Sequence, residues 1–200
     1  MSPRIRPMRR VGVFGGTFDP PHLGHISTAL EACHALGLDE LLMVVAGDPW
    51  QKTEQQAITS AFHRSAMAEL AFAPHDALTI SNVEIQRDGP SYMAETLADL
   101  AGSDHELLLI VGSDAAAGLD TWHRPEAVKA LASVIVVERE GYANERPPAG
   151  WDHQVVEVPG LEISSRDIRR RVACGEPIAG LVPGPVAHYI ETHGLYRPMP

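Results

Sequence analysis

The 200-residue sequence has few of the features that mark several large classes of protein. It has two cysteines, Cys33 and Cys174, far apart and on predicted helices, which excludes a disulfide framework and favours a reducing compartment. We interpret both as buried small hydrophobic residues. No apolar run is long enough to cross a membrane as a helix. Lysine and arginine number 16 against 26 aspartate and glutamate, a net charge of −10 that argues against a general nucleic-acid-binding protein. We therefore expect a cytoplasmic protein that binds neither a membrane nor a nucleic acid.

Several familiar binding motifs are also missing. The chain has no G-x-x-x-x-G-K-[ST], which excludes a P-loop enzyme. The glycines around the first predicted strand do not form G-x-G-x-x-G, and the acidic residue after the second strand, Asp48, lies too far along for a dinucleotide-binding dehydrogenase. His22 and His25 lack a third histidine or a cysteine at ligand spacing, so we expect no metal site made of protein side chains.

Strand-like and helix-like apolar patterns alternate along the chain. The predicted strands are residues 11–14, 41–46, 78–80, 107–111, 134–137 and 155–158. A first helix is predicted to begin near residue 22, and further helices are predicted at residues 58–72, 92–101, 126–131, 165–173 and 186–192. This alternation predicts an α/β fold, a doubly wound parallel sheet with C-terminal helices. We assign residues 1–10 to a flexible basic leader and residues 11–200 to a single domain.

The helix predicted at residues 58–72 has an apolar stripe of Phe62, Ala66 and Leu70, which we expect to face the core. Arg64 lies opposite that stripe. A solvated surface position and a structural or phosphate-side role are equally open for it.

Residues 15–25, G-G-T-F-D-P-P-H-L-G-H, are the most informative stretch. They join the first predicted strand to an amphipathic helix, with His22 and His25 at the start of that helix. Glycines let the backbone approach a ligand, and a helix N-terminus offers free N–H groups and partial positive charge. Residues 47–52 and 112–114 also follow predicted strands, so the three segments can converge on one crevice suited to a polyphosphate.

The stretch 15–25 resembles the signature G-G-T-F-D-P-x-H-x-G-H of the adenylyltransferase superfamily. Further segments are similar, in the same order, to bacterial nicotinate-nucleotide adenylyltransferases: D-G-P-S-Y at 88–92, G-S-D at 112–114 with Trp122, I-S-S at 163–165 with Arg169, and G-L-Y-R at 194–197. The resemblance extends from about residue 11 to residue 197. It implies a Rossmann-like nucleotidyltransferase that joins ATP to nicotinate mononucleotide and releases pyrophosphate in NAD biosynthesis, with Mg²⁺ held mainly by the ATP phosphates.

The same resemblance implies a set of site residues. His22 and His25 would stabilise the transition state as donors or cations. The implied ATP site consists of Gly15, Gly16, Thr17, Phe18, His22, His25, Gly112, Asp114, Ser164, Ser165 and Arg169. The implied mononucleotide site consists of Thr17, Lys52, Tyr92, Trp122 and Arg139, with Trp122 stacked on the pyridine ring.

Other interpretations stay open at several positions. Ser164 fits a helix N-cap equally well, and Lys52 fits a solvated loop. Met93 stands where the family commonly has threonine, which leaves the preference between nicotinate and nicotinamide open. Arg166 stands where serine or threonine is usual, which leaves its role open.

Three alternatives to the implied function and assembly also remain. The chain could be a transferase of the same superfamily with another phosphate acceptor, such as nicotinamide mononucleotide or pantetheine phosphate. It could be a non-catalytic nucleotide-binding protein on the same fold. A homo-oligomer is as compatible with the sequence as a monomer.

Overall fold

The computed structural model describes residues 8–49, 58–139 and 145–197, and these contain six strands in one parallel sheet. The strands are β1 (Arg9–Gly16), β2 (Glu40–Val45), β3 (Leu78–Ser81), β4 (His105–Gly112), β5 (Ser133–Arg139) and β6 (His153–Val158). They lie in the order β3-β2-β1-β4-β5-β6, and every neighbouring pair is parallel. The predicted doubly wound parallel sheet is confirmed.

Eight α-helices connect and cover the strands in the described residues. They are α1 (Leu23–Leu36), α2 (Ala61–Phe72), α3 (Val83–Gln86), α4 (Met93–Leu100), α5 (Ser113–Ala117), α6 (Pro125–Leu131), α7 (Ser165–Ala173) and α8 (Gly184–Thr192), and a 3₁₀ turn (Leu119–Thr121) separates α5 from α6. The sequence predicts neither α3 nor α5, because helices of four and five residues are too short to show an apolar period.

Alternate residues of the central strands supply two separate cores. On β4, Leu108 and Ile110 pack against the first core, which also holds residues of α1, α2, α7 and α8. Leu107, Leu109 and Val111 pack against the second core with residues of α4 and α6. Since both faces are covered, the strands have almost continuous apolar runs.

The buried face of α2 differs from the predicted stripe. Phe62 is 74% exposed and Leu70 is 36% exposed. The buried residues are Arg64, Met67, Ala68, Ala71 and Phe72. The helix has apolar residues on two sides, and the side that includes an arginine packs inward because its guanidinium finds acceptors there, as described below. The prediction that Phe62 and Leu70 face the core is therefore wrong.

Two smaller predictions also need correction. β1 begins at Arg9, two residues before the predicted start of the first strand, and the Arg9 side chain pairs with Glu40 at 3.1 Å. Residues 1–7 lie outside the described residues. Cys174 is exposed because it caps the surface end of α7, so it is not the buried residue predicted. Cys33 is half-buried, and burial raises the pKa of its thiol to about 11. None of the helices in the described part of the chain is long and apolar enough to span a bilayer.

The strand order fixes where a ligand can enter. After β1 the chain runs outward to β2 and β3, and it then returns to β4 on the opposite side of β1. Ligands of open α/β sheets bind at such a switch point, outside the carboxyl ends of the strands. Here those ends are Gly16 of β1 and Gly112 of β4, so two of the predicted site segments flank the switch point.

Candidate active site

The loop between β1 and α1, residues 15–25, is called here the histidine loop. Its turn needs a glycine at position 16, because a Cβ there would lie 2.5–2.9 Å from the ring of Phe18. Phe18 itself has a left-handed backbone with φ of 49° and a side chain that is 2% exposed. Its ring meets His25 and Phe72 edge to face, with centroids 5.1 and 5.2 Å apart. The Phe18 side chain therefore belongs to the core, and only its backbone faces the cleft.

His22 and His25 cap the first turn of α1 reciprocally. His25 Nδ1 accepts the backbone N–H of His22 at 3.2 Å, and the His22 side chain accepts the backbone N–H of His25. The two rings stack with centroids 3.7 Å apart. A ring nitrogen that accepts carries no hydrogen, so the proton of neutral His25 resides on Nε2. This histidine can therefore donate a hydrogen bond to a phosphate without becoming charged.

Asp19 anchors the middle of the histidine loop and is 4% exposed. One carboxylate oxygen accepts the backbone N–H of Thr59 at 3.2 Å, and the other accepts the hydroxyl of Tyr196 at 2.7 Å. Burial and the adjacent Asp19 charge raise the pKa of Tyr196. Asp19 is therefore a fixed acceptor that ties the loop to the C-terminal segment, a role beyond the simple turn that its Asp-Pro pair suggests.

Arg64 lies beneath the same loop and is 1% exposed. Its guanidinium donates to three backbone carbonyls, those of Thr59 at 2.8 Å, Thr17 at 2.9 Å and Gly47 at 3.0 Å. Burial lowers its pKa, and the charge of Asp19 opposes that effect. A single side chain thus connects the carboxyl ends of β1 and β2 to the start of α2. Of the two roles left open for Arg64, the structural one is the one observed.

The N-terminus of α7 closes the site from the other side. Arg169 donates to the backbone carbonyl of Asp19 at 2.6 Å, and Ser165 donates to that of Pro20 at 2.8 Å. The hydroxyl of Ser164 accepts the N–H of Asp167 at 3.1 Å, so Ser164 is the N-cap that its sequence pattern suggests. These bonds bring α7 against the histidine loop, about 150 residues away in sequence.

The resulting cleft has two lobes. The larger lobe, called here the α7 lobe, has a volume of about 620 Å³. All eleven residues of the predicted ATP site line it: Gly15, Gly16, Thr17, Phe18, His22, His25, Gly112, Asp114, Ser164, Ser165 and Arg169. Asp19, Arg166 and an apolar wall of Val137, Pro159, Leu161 and Ile163 also line it.

The smaller lobe, called here the tryptophan lobe, has a volume of about 440 Å³ and includes Thr17, Tyr92 and Trp122 of the predicted mononucleotide site. Tyr92 stacks on His123, with ring centroids 4.1 Å apart. Met93 presses against Gly15, where a Cβ would come within 2.8 Å of its terminal methyl. Lys52 and the side chain of Arg139, the other two predicted contacts, lie outside the described residues.

The two lobes share their inner wall. Phe14, Gly15, Gly16, Thr17, Gly112, Asp114 and Ala115 line both. One small molecule in each lobe can therefore meet the other above the carboxyl ends of β1 and β4. Three residues of the site architecture are not among the predicted site residues: Asp19, His123 and Tyr196.

The switch-point cleft, the glycine turn and the paired histidines at a helix N-terminus together define a Rossmann-like nucleotide-binding site with room for two ligands. Comparison with known proteins narrows this class. The cytidylyltransferase-like family model matches residues 13–171. The "Probable nicotinate-nucleotide adenylyltransferase" of Saccharopolyspora erythraea is 42% identical over 193 residues, covering 94% of this chain and 90% of the relative. The protein of the same name from Roseiflexus sp. is 43% identical over 195 residues, covering 94% of this chain and 98% of the relative.

Solved structures agree on the fold. Plasmodium falciparum nicotinic acid mononucleotide adenylyltransferase complexed with NaAD superposes with a TM-score of 0.75 at 18% identity, covering 94% of this chain and 97% of that one. The same enzyme complexed with APC gives a TM-score of 0.72. The chain belongs to the cytidylyltransferase-like family and, within it, to the nicotinate-nucleotide adenylyltransferases. The resemblance deduced from the sequence is confirmed.

Proposed function

We propose that the protein transfers the adenylyl group of ATP to nicotinate mononucleotide, giving nicotinate adenine dinucleotide and pyrophosphate. The observation that carries the proposal is the shared wall of the two lobes, at Gly15–Thr17 and Gly112–Asp114. ATP in the α7 lobe and the mononucleotide in the tryptophan lobe would place their phosphates side by side there. Relatives above 40% identity that bear this enzyme name support the assignment.

The reaction needs little from the protein beyond position and charge. A phosphate monoester has a second pKa near 6, so the attacking oxygen is already ionised at neutral pH and requires no general base. That oxygen forms a bond to the α-phosphorus of ATP as the bond to the β-phosphate oxygen breaks, and pyrophosphate leaves. The protein accelerates the reaction by aligning two polyanions and by stabilising the charge that develops in the transition state. We propose His22 and His25, which line the α7 lobe at the N-terminus of α1, as the donors that do this.

The apolar wall and the first turn of α7 suggest how ATP lies in the α7 lobe. The apolar wall of Val137, Pro159, Leu161 and Ile163 suits a flat adenine ring. Arg169 and the first turn of α7 suit phosphates, since a helix N-terminus and a guanidinium both attract anions. Asp114 lines both lobes, and we propose that its carboxylate accepts a ribose hydroxyl.

The tryptophan lobe suits a pyridine nucleotide. Trp122 offers an aromatic face for the pyridine ring, and Tyr92 lies beside it in the same lobe. Thr17 lines both lobes, and we propose that it contacts the mononucleotide phosphate. We retain Lys52 and Arg139 as proposed contacts of the same substrate.

We propose that Mg²⁺ enters with ATP and is held mainly by its phosphates, where it neutralises charge on the triphosphate. Among the described residues, no three histidine, cysteine, aspartate or glutamate side chains are grouped to hold a metal ion. A cytoplasmic location, where ATP and pyridine nucleotides are available, fits the proposed reaction.

The test uses the purified protein with ATP, Mg²⁺ and either nicotinate or nicotinamide mononucleotide, with the dinucleotide identified by mass and pyrophosphate by a coupled assay. Product from the nicotinate substrate supports the proposal. Comparable product from both substrates keeps the reaction and assigns a relaxed pocket to the region of Met93. No product from either contradicts the proposal and directs the search to another phosphate acceptor.

Two variants test the proposed role of the histidine pair. Loss of one donor that stabilises transition-state charge typically lowers kcat by about 10²–10³, so we expect a fall of that order for His25→Ala. His34→Ala, on the same helix but away from the cleft, is the matched control and should keep wild-type kcat. A folded His25→Ala protein with near-normal kcat would contradict the role.

A further inference from the structure

Four arginines lie on α7, and they differ in their surroundings. Arg170 pairs with Asp167 at 2.9 Å and with Glu176 at 2.6 Å, and Arg171 pairs with Asp167 at 2.7 Å. Arg169 donates to the backbone of the histidine loop. Arg166 is different, because within the described residues no carboxylate lies in ion-pair range of its guanidinium. It is an exposed side chain that lines the α7 lobe.

The position of Arg166 is unfavourable for the helix itself. It occupies the second residue of α7, where the unsatisfied N–H groups already carry partial positive charge. A cation in the first turn opposes the helix dipole, and acidic residues are preferred there. Asp167 in the same turn is paired with Arg170 and Arg171, so it forms no ion pair with Arg166 among the described residues. Two positive features therefore converge on one lobe. Residues that oppose a local preference in this way occur at functional sites. An anion bound in the lobe would attract both the Arg166 charge and the helix N-terminus, so the arrangement that is unfavourable in the empty lobe would become favourable.

The geometry points to Arg166 as a binding residue for the two outer phosphates of ATP, which become the leaving pyrophosphate. This inference rests on the proposed function. The α-phosphate must lie at the wall shared by the lobes, because it receives the mononucleotide phosphate. Arg166 lines the α7 lobe but not the tryptophan lobe, and it lies in the first turn of α7 next to Ser165. It therefore belongs to the lobe that would hold the triphosphate and not to the lobe that would hold the mononucleotide. A planar guanidinium matches the spacing of phosphate oxygens.

Direct binding separates this inference from the reaction. Calorimetry would measure the Kd of inorganic pyrophosphate, of ATP without turnover, and of AMP, for the wild type and for Arg166→Ala. We expect pyrophosphate and ATP to bind about tenfold more weakly to the variant. AMP should bind equally well to both proteins, because it lacks the two outer phosphates. The KM for nicotinate mononucleotide should stay unchanged in the coupled assay.

Arg170→Ala is the matched control, since it removes a guanidinium from the same helix whose charge is already paired. It should bind all three ligands as the wild type does. Arg166→Lys keeps the charge and should recover part of the lost affinity for pyrophosphate. Wild-type affinity for pyrophosphate and ATP in Arg166→Ala would overturn the inference. An equal loss for AMP would also overturn it, because the residue would then act on the adenosine or on the fold.

The failure of the proposed function can be distinguished from the failure of this inference. If the wild-type protein binds pyrophosphate through Arg166 but makes no dinucleotide, the inference about Arg166 holds and the proposed acceptor, nicotinate mononucleotide, is wrong.

Discussion

Replacing Arg64 by methionine tests whether this buried guanidinium holds the site together. Methionine fills most of the space of the arginine stem and removes the charge and all three hydrogen bonds. The bonds to Thr17, Gly47 and Thr59 are 2.8–3.0 Å long and Arg64 is 1% exposed, so its loss leaves three backbone carbonyls without this donor.

The expected magnitude follows from two opposing terms. Hydrogen bonds to a charged group contribute about 1.5–3 kcal/mol each, so three contribute about 4–9 kcal/mol. Removal of the guanidinium also recovers its desolvation cost, which is several kcal/mol for a buried ion. We therefore expect the free energy of unfolding to fall by about 3 kcal/mol, in line with the 3–5 kcal/mol typical of breaking a buried charged network. For a chain of this length that lowers Tm by about 6–12 °C.

Urea and thermal unfolding of Arg64→Met measure the effect directly. Arg9→Met is the control, because Arg9 is exposed and its ion pair with Glu40 is worth at most about 1 kcal/mol. Below its own Tm, the Arg64 variant should also show a lower kcat, since the Thr17 backbone loses its connection to β2. A loss of less than about 1 kcal/mol, with normal kcat, would refute the reasoning and return Arg64 to the role of a tolerated core residue.

Three further predictions concern other buried groups. Burial and an adjacent carboxylate raise the pKa of Tyr196, so the folded protein retains a proton that the unfolded chain loses near pH 10. Stability should therefore fall as pH rises above 10, and Tyr196→Phe should flatten that fall in urea titrations; equal slopes would contradict it. With an aromatic disulfide reagent at pH 8, one thiol per chain should react fast and Cys174→Ser should abolish that phase, because the raised pKa of about 11 leaves Cys33 about 10⁻³ ionised. Gly47→Ala should lower the free energy of unfolding by about 1–3 kcal/mol, because its Cβ would lie 2.3 Å from the backbone oxygen of Glu84. An unchanged free energy of unfolding in urea would contradict this and show that the backbone of α3 can shift at little cost.

The sequence predicts the sheet well because its signals are local. Each central strand is covered on both faces, so it appears as a continuous apolar run whatever its neighbours are. The residues that face the cleft sit in short segments after those strands, and one rule about strand ends brings Gly15, Gly112 and their neighbours to the same place. Periodicity was less informative for α2, where two apolar sides compete and only the packing of Arg64 decides between them.

The supports of the histidine loop could not be deduced in this way, since each acts across a long stretch of chain. Arg64 reaches the backbone carbonyl of Thr17 over 47 residues, Arg169 reaches the backbone carbonyl of Asp19 over 150, and Tyr196 reaches the carboxylate of Asp19 over 177. Nothing in the local pattern of an arginine on a helix or a tyrosine near the C-terminus distinguishes such a role from a surface position.

These supports attach the loop on three sides, to β2, to α7 and to the C-terminal segment. The histidines are in turn fixed by reciprocal capping of α1, so neither the loop backbone nor the rings have to be ordered when substrates bind. In a reaction whose nucleophile is already ionised, position and preorganised charge are the main contributions a protein can make. The buried network of Asp19, Arg64 and Tyr196 is therefore best understood as part of the machinery that aligns two phosphates, although none of its charged side-chain groups needs to touch either one.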